Sequence, residues 1–269
     1  MRIPFIKMHG LGNDFVVLDA RQDRLLPITS DLARALADRR TGIGCDQLIL
    51  LERSGKADFA MRIFNHDGSE VESCGNASRA VALLHGEPAS IDTRGGVIEV
   101  RPAEGGIAVD MGMPRFGWQE IPLAYAMDTA SLPVGWENLE TPLAVNVGNP
   151  HVVFFVPDAD AIELDRLGPQ IEHDPIFPER VNVNVAQIVD RNAILLRVWE
   201  RGAGLTRACG TGACATAVAA MRKGLVDSTV AVTLPGGTLT IAWEDGEPVT
   251  MTGPAAESFR GTFDPADFA

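Results

Sequence analysis

Two cysteines stand in matching surroundings 135 positions apart (209 − 74): Cys74 in "RIFNHDGSEVESCGNAS" and Cys209 in "RVWERGAGLTRACGTGA". Each is followed by glycine and then by small apolar residues, "RAVALL" after the first and "CATAVAAM" after the second. A cysteine so placed is expected at the mouth of a buried helix, where the first-turn N–H groups have no partner within the helix. Flanking glycine lets a ligand approach those amides, and their partial positive charge attracts a carboxylate. The same charge is expected to lower the thiol pKa below its free value of about 8.5. Two such thiols on opposite sides of one ligand suit one chemistry in particular. One removes the α-proton of an amino acid as a base, and the other returns a proton on the opposite face as an acid. Amides at the helix mouths would stabilise the enolate-like charge that develops on the bound carboxylate. Cys45 has no counterpart in the repeat, and Cys214 lies five residues into its helix between alanines, so both read as inert core thiols.

The elements that must position these groups are themselves duplicated. Arg62 and Arg197, like Gln47 and Asn182, share the shift of 135 (197 − 62, 182 − 47). "GNDFVVLDA" from Gly12 resembles "GNPHVVFFVPDA" from Gly148, and "VDMGMP" from Val109 resembles "VTMTGP" from Val249. Matches in one order at nearly one spacing predict two domains of one fold. Their expected bounds are 1–116 and 117–253, with the Pro- and Gly-rich "MGMPRFGWQEIP" as the crossing. The tail "ESFRGTF", within 254–269, reads as a strand returning to either half.

Within the halves, "FVVLDA", "QLILLE", "FAMRIF", "GVIEVR" and "GIAVDMG" have the branched residues and turn-residue borders of short strands. Helices are predicted for "SDLARALADRR", capped by Ser30 or Asp31, for "NASRAVALLHG" ending at Gly86, and for "GTGACATAVAAMRKG" ending at Gly224. The fold class is α+β: two pseudo-symmetric sheet domains, each wrapped around a central Ala-rich helix.

The 269 residues are 46 % hydrophobic and 22 % charged, ordinary for a globular chain. A net charge of −13 argues against nucleic acid and anionic membranes as partners. No run approaches the ~18 apolar residues of a membrane span, and "MRIPFIKMHGLGND" lacks a signal-peptide core. A cytosolic location is therefore expected. The four cysteines include no C-x-x-C pair, and no metal site is expected.

At "MHGLGNDFVVLD", "GIGCDQ", "RIFNHDGSEVESCGN", "VNVGNPHVVFFV", "VNVNVAQIV" and "ERGAGLTRACGTGACA", the chain resembles the diaminopimelate epimerases, and the likeness runs through the whole length. The resemblance implies an active site in the cleft between two α+β domains, no cofactor, and a homodimer. It also implies that Cys74 and Cys209 are the two catalytic thiols, exchanging donor and acceptor roles with the direction of reaction. His151 and Glu200 match positions that tune the thiols. Substrate contacts fall on Asn13, Gln47, Asn65, Gly75, Asn76, Asn149, Asn182, Glu200, Arg201, Gly210 and Thr211. These types suit a doubly zwitterionic ligand, since amides donate and accept, Arg201 can clamp a carboxylate and Glu200 can meet an ammonium. After "CGN" the chain departs from the family's frequent Gly and Arg-Cys pattern with Ala77, Ser78, Arg79 and Ala80, for which a small packing change is expected.

Other readings are weaker. A proline racemase or hydroxyproline epimerase typically has His where this chain has Asn76. A non-catalytic thiol or metal-binding module lacks partnered His spacing. "GAGLTRACGTG" has neither the Lys-Ser/Thr of a P-loop nor G-x-G-x-x-G spacing. His9, His66, His85 and His173 read as surface or structural, and Arg62 and Arg197 as bridges between sheets. "NAS" at Asn76 is a chance sequon in a cytosolic chain. Two thiols that grip one carbon are also expected to be prone to disulfide closure when no ligand is bound.

Overall fold

The structure, a computed structural model, describes residues 2–22, 27–72 and 74–268. It divides into two compact units, Met1–Val109 with Gly253–Ala269, and Asp110–Thr252. The crossing falls after Val109, earlier than the expected boundary at residue 116. The intervening segment is held to the second unit, where Arg115 and Asn146 exchange backbone hydrogen bonds of 2.8 and 2.9 Å.

The first unit contains β1 (Ile3–Gly10), β2 (Asn13–Asp19), α1 (Ser30–Ala37), β3 (Gln47–Glu52), β4 (Phe59–Asn65), β5 (Glu70–Val71), α2 (Gly75–His85), β6 (Ala89–Thr93), β7 (Gly96–Ala103) and β8 (Gly106–Asp110). The strands β1 and β2 pair antiparallel, β2 and β3 parallel, β3 and β4 antiparallel. One end of β4 pairs with β5 and the other, in parallel, with β6, after which β7 and β8 continue antiparallel. Helix α2 touches both β1 and β7, so the sheet curls around it. Its stretch from Asn76 to Ala82 is buried, and alanine and serine there let the strands close in without large gaps.

The second unit contains the hairpin β9 (Gly135–Trp136) and β10 (Leu139–Glu140), then β11 (Leu143–Asn146), β12 (Pro150–Phe155), α3 (Leu164–Glu172), β13 (Asn182–Asp190), β14 (Ala193–Glu200), β15 (Gly204–Thr206), α4 (Gly210–Arg222), β16 (Thr229–Leu234), β17 (Gly237–Ala242) and β18 (Thr250–Gly253). From β11 to β17 the pairing pattern is that of β1 to β7. The correspondence reaches the register: Phe15 opposes Gln47 in the first unit, and His151 opposes Asn182 in the second. Helix α4 contacts β11 through β14 and β16 and β17, and is buried from Gly212 to Ala220. The tail forms β19 (Ala256–Phe263), which pairs antiparallel with β1 and so belongs to the first unit. This is the α+β arrangement of two alike, sheet-rich units.

Local signals explain most helix ends. Thr29, not Ser30 or Asp31, caps α1: its backbone is extended and its hydroxyl accepts from the Leu32 N–H, whereas Ser30 is already helical. Gly86 ends α2 in the left-handed region at φ 86°, where glycine carries no Cβ penalty. Helix α3 has no counterpart in the sequence expectations, because Gly168 and Pro169 lie inside it and read as breakers. It forms because Leu164, Leu167 and Ile171 bury one face against β13 and β14. Arg62 and Arg197 do not bridge sheets. Arg62 pairs with Glu70 on the neighbouring strand, and Arg197 donates to the Ala159 and Ile162 carbonyls ahead of α3. Cys45 and Cys214 are buried, and burial pushes the Cys45 thiol up to about 11. No helix among the described residues is long and apolar enough to cross a membrane.

Candidate active site

In the first unit, Cys74 is the N-cap residue of α2, with extended backbone at φ −152° and ψ 110°. Its carbonyl is held by the backbone and hydroxyl of Ser78 at 3.0 and 2.9 Å. The β1–β2 turn brings Asn13 to it. Gly10 opposes Asn13, leaving Leu11 (φ 57°) and Gly12 (φ 89°) as a two-residue turn with both residues left-handed. The Asn13 Nδ2 donates to Asp46 Oδ2 at 2.9 Å, which turns Oδ1 toward α2. There it accepts from Asn76 Nδ2 at 3.2 Å and lies 3.9 Å from Cys74 Sγ.

Two charged groups hold these amides. Arg79, fully buried, donates to Asn76 Oδ1 at 2.9 Å, so the Asn76 NH2 group must face Asn13. Asp46 is held by Arg39, which also pairs with Asp14, and Asp14 in turn meets Lys7. Burial works against the Asp14 carboxylate, but the hydrogen bonds from Arg39 and Lys7 outweigh it and hold the carboxyl well below its ordinary range.

Gln47 begins β3 opposite Asn65 at the end of β4 and donates from Nε2 to Asn65 Oδ1 at 3.0 Å. The Asn65 NH2 group reaches Ser69 Oγ at 3.2 Å. Gln47 Oε1 is buried with no hydrogen-bond partner, the one such side-chain N or O among the described residues. A buried acceptor left open is costly, and a ligand N–H would satisfy it.

In the second unit, Cys209 is the N-cap of α4, buried, with φ −131° and ψ 108°. Its sulfur accepts from the Gly212 N–H at 3.3 Å and lies 3.5 Å from Thr211 Oγ1. Glu200, ending β14, accepts from the Thr206 hydroxyl and also hydrogen-bonds Cys209. Burial pushes the Glu200 carboxyl above its ordinary value, against those two hydrogen bonds. The Cys209 thiol is pushed well above its free value as well, by burial first and then by the Glu200 charge. The expectation of a lowered thiol pKa therefore fails at Cys209. The Thr211 and Gly212 hydrogen bonds favour thiolate, but desolvation and a neighbouring anion outweigh them.

His151 is fully buried on β12. Burial lowers its pKa to about 3, with a further push from Arg201, so the ring is neutral near pH 7. Its Nδ1 faces Asn184 Oδ1 at 3.3 Å and its Nε2 faces Asn149 Oδ1 at 2.8 Å. Its path to the thiol runs through Asn184 to the carbonyl of Gly212, whose N–H meets Cys209. Asn182 donates to the Pro150 carbonyl and accepts the Arg201 N–H, both at 2.9 Å, which fixes the turn carrying Arg201. The Arg201 guanidinium reaches the Glu179 carbonyl at 3.0 Å. Gly75 and Gly210 are the first helical residues after the two thiols.

The structure thus gathers Asn13, Gln47, Asn65, Cys74, Gly75 and Asn76 in the first unit. Asn149, His151, Asn182, Glu200, Arg201, Cys209, Gly210 and Thr211 gather in the second. Sequence reasoning missed four supports. Asp46 and Arg79 orient the amides beside Cys74. Asn184 lies two residues after Asn182 and therefore on the same face of β13, a period-two signal that could have identified it. Glu172 on α3 accepts from Trp199 Nε1 at 2.7 Å and from the Gly202 N–H at 2.9 Å, bracing the strand end at Glu200 and Arg201. Its helix carried no signal. His9, His66 and His173 are exposed, and His85 packs on Phe59. No cluster of three or more His, Cys, Asp or Glu among the described residues is placed to hold a metal ion.

Known structures share this architecture. A Bacillus anthracis phenazine biosynthesis protein of the PhzF family superposes with a TM-score of 0.69 at 15 % identity, over 98 % of this chain and 99 % of that one. A hydroxyproline epimerase from Agrobacterium vitis, solved with trans-4-hydroxy-L-proline bound, gives 0.65 at 15 % identity, over 99 % and 94 %. Both are likenesses of fold. In sequence, the chain is 70 % identical to the diaminopimelate epimerase of Erythrobacter litoralis over 269 residues, covering 100 % of each. It is 64 % identical to that of Rhizorhabdus wittichii over 268 residues, covering 100 % of this chain and 98 % of the relative. The family model for diaminopimelate epimerase matches residues 5–117 and 143–257, which carry both N-cap cysteines and the amides around them. On that match, extending through both units, the chain belongs to the diaminopimelate epimerase family.

Proposed function

We propose that the protein interconverts LL- and meso-2,6-diaminopimelate without a cofactor, in the synthesis of lysine and peptidoglycan precursors, with Cys74 and Cys209 as its two proton-transferring groups. The observation that carries this reading is the doubled N-cap thiol: the same residue type caps equivalent helices in two units of one topology. A single thiol at a helix mouth could serve many ends. A matched pair serves inversion at one carbon, which needs a base on one face and an acid on the other.

The steps balance without redox change. A thiolate removes the α-hydrogen as a proton, and the C–H electron pair passes into the α-carboxylate. The opposite thiol then delivers its proton to the other face of the carbon. For Cys209, the hydrogen-bonded Glu200 carboxylate takes the S–H proton and leaves the thiolate. First-turn amides of α2 and α4 are suited to the carboxylate charge that grows in this step. At the far end of the ligand, the open Gln47 Oε1 suits the second ammonium, and Arg201 suits a carboxylate. Asn13, Asn65, Asn76, Asn149, Asn182 and Thr211 complete the contacts in this reading. His151 acts through its amide neighbours. The protein works as a homodimer in the cytoplasm.

The test is α-proton exchange in deuterated water with purified protein and no added cofactor, offering LL-diaminopimelate and L-proline separately. Exchange and epimerisation are expected with the first alone. Turnover of proline, or none of diaminopimelate, would overturn the reading.

A further inference from the structure

The amide of Asn184 is pinned in one orientation. It is fully buried, and its Nδ2 lies 3.2 Å from the Gly212 carbonyl and 3.2 Å from Thr216 Oγ1. A backbone carbonyl can only accept, so the NH2 group must occupy that side. Both of its hydrogens are then used. Oδ1 is left facing His151 Nδ1 at 3.3 Å, and an amide oxygen can only accept a hydrogen there. A neutral imidazole carries one N–H, and this geometry places it on Nδ1.

The consequence falls on Asn149. His151 Nε2 is then a lone pair, and the Asn149 atom placed 2.8 Å from it is Oδ1. Two acceptors at that distance repel, whereas an amide NH2 at the same place donates a good hydrogen bond. The N and O of an amide side chain have nearly the same shape, so the exchange needs no movement of the backbone. With NH2 turned to His151, the Asn149 Oδ1 points the other way. Gly148, at φ 105°, carries Asn149 at the end of the β11–β12 loop.

We propose that Asn184 is a positioning residue: it sets the Nδ1–H tautomer of His151 and thereby turns Asn149 to offer its carbonyl oxygen, an acceptor, to the ammonium of the substrate. Burial, with Arg201 nearby, supports this by keeping the ring uncharged. The relay lies wholly within the second unit. It explains why an asparagine stands at position 184, where an aliphatic residue would suit a strand packed on α4. The ammonium half of the proposal rests on the amino-acid reading given above, while the tautomer half does not.

Two measurements test it. In uniformly 15N-labelled protein without substrate, two-bond proton–nitrogen correlations separate the Nδ1–H from the Nε2–H form. The His151 signals are assigned by their loss in His151→Gln. Nδ1–H is expected at pH 7 in the unaltered protein, and an Nε2–H or doubly protonated ring would overturn the relay whether or not any variant folds. In Asn184→Leu, the tautomer preference should be lost and KM for diaminopimelate should rise about tenfold, with kcat changed less than threefold. An unchanged tautomer in that variant would also overturn the proposal. A lost preference with unchanged KM would overturn the substrate half alone. Absence of epimerase activity beside an intact Nδ1–H tautomer would instead count against the proposed function.

Discussion

Gly212 donates its backbone N–H to the sulfur of Cys209 at 3.3 Å, so the thiol itself caps the helix it begins. A Ser or Asp cap is chemically quiet, whereas a cysteine cap places a titratable thiol on the first turn, the position that the proposed proton transfer requires. The Gly212 N–H and Thr211 hydroxyl hold the sulfur in place, and precise placement is what the proposed proton transfer would need. Cys74 occupies the equivalent position in α2 with its sulfur toward Asn13.

Removing either thiol should abolish inversion. Cys74→Ala and Cys209→Ala are each expected to lower epimerisation by at least ~10³-fold, within the range of losing a general acid or base. A coupled assay for meso-diaminopimelate reads the loss. Near-normal turnover in either variant would remove that cysteine from the mechanism.

Glu200→Gln separates ionisation from catalysis. The Glu200 charge is one of the causes holding the Cys209 thiol up, after burial. Neutralising it should move the pH midpoint of Cys209 alkylation downward. Turnover should nevertheless fall, since glutamine cannot take the S–H proton that Glu200 is proposed to accept. An upward shift of the midpoint would contradict the arrangement.

His151 should also shape the acid stability of the fold. Its folded pKa is depressed to about 3 by burial, below the value of about 6.5 for an unfolded histidine. The stabilising contribution is complete above pH 6.5. Below it the unfolded chain binds a proton that the folded chain refuses, and stability falls as pH drops toward 3. The slope is about 1.4 kcal/mol per pH unit for one proton. Urea titrations between pH 7 and 4 should show that slope reduced by about this amount in His151→Gln. Parallel curves would disprove the assignment.

Two glycines should behave differently. A Cβ on Gly168 would lie 2.5 Å from the Trp199 ring, which adjoins Glu200 in the chain. Gly168→Ala should therefore cost ~1–3 kcal/mol by overpacking, alter tryptophan fluorescence and lower kcat. Gly86→Ala meets open space at φ 86°. Only a backbone penalty of about 1 kcal/mol is expected, with activity retained. Thermal melts and steady-state kinetics of both variants distinguish the cases.

A carboxylate brace at Glu172 is the clearest feature that no sequence pattern announced. Gly168 and Pro169 are helix-breaking types and the sequence predicts no helix here, yet α3 forms because its apolar face finds β13 and β14. Only then does Glu172 reach Trp199 and Gly202. The same holds for Arg79, whose role depends on Asn76 being three residues behind it on a buried helix and on the Pro254 carbonyl arriving from the tail, 175 positions away.

What the sequence determined by itself was periodic or repeated. The doubled Cys-Gly at helix starts, the strand runs and the Ala-rich helices follow from local propensity, and duplication made them legible twice. It also named the residue types around each thiol. The tertiary structure decided their protonation and orientation. Cys209 is raised rather than lowered, because burial and Glu200 outweigh the helix amides. His151 is neutral, because no water reaches it. Desolvation and hydrogen-bond polarity depend on which groups the fold brings together from distant parts of the chain, and no spacing within a segment encodes them.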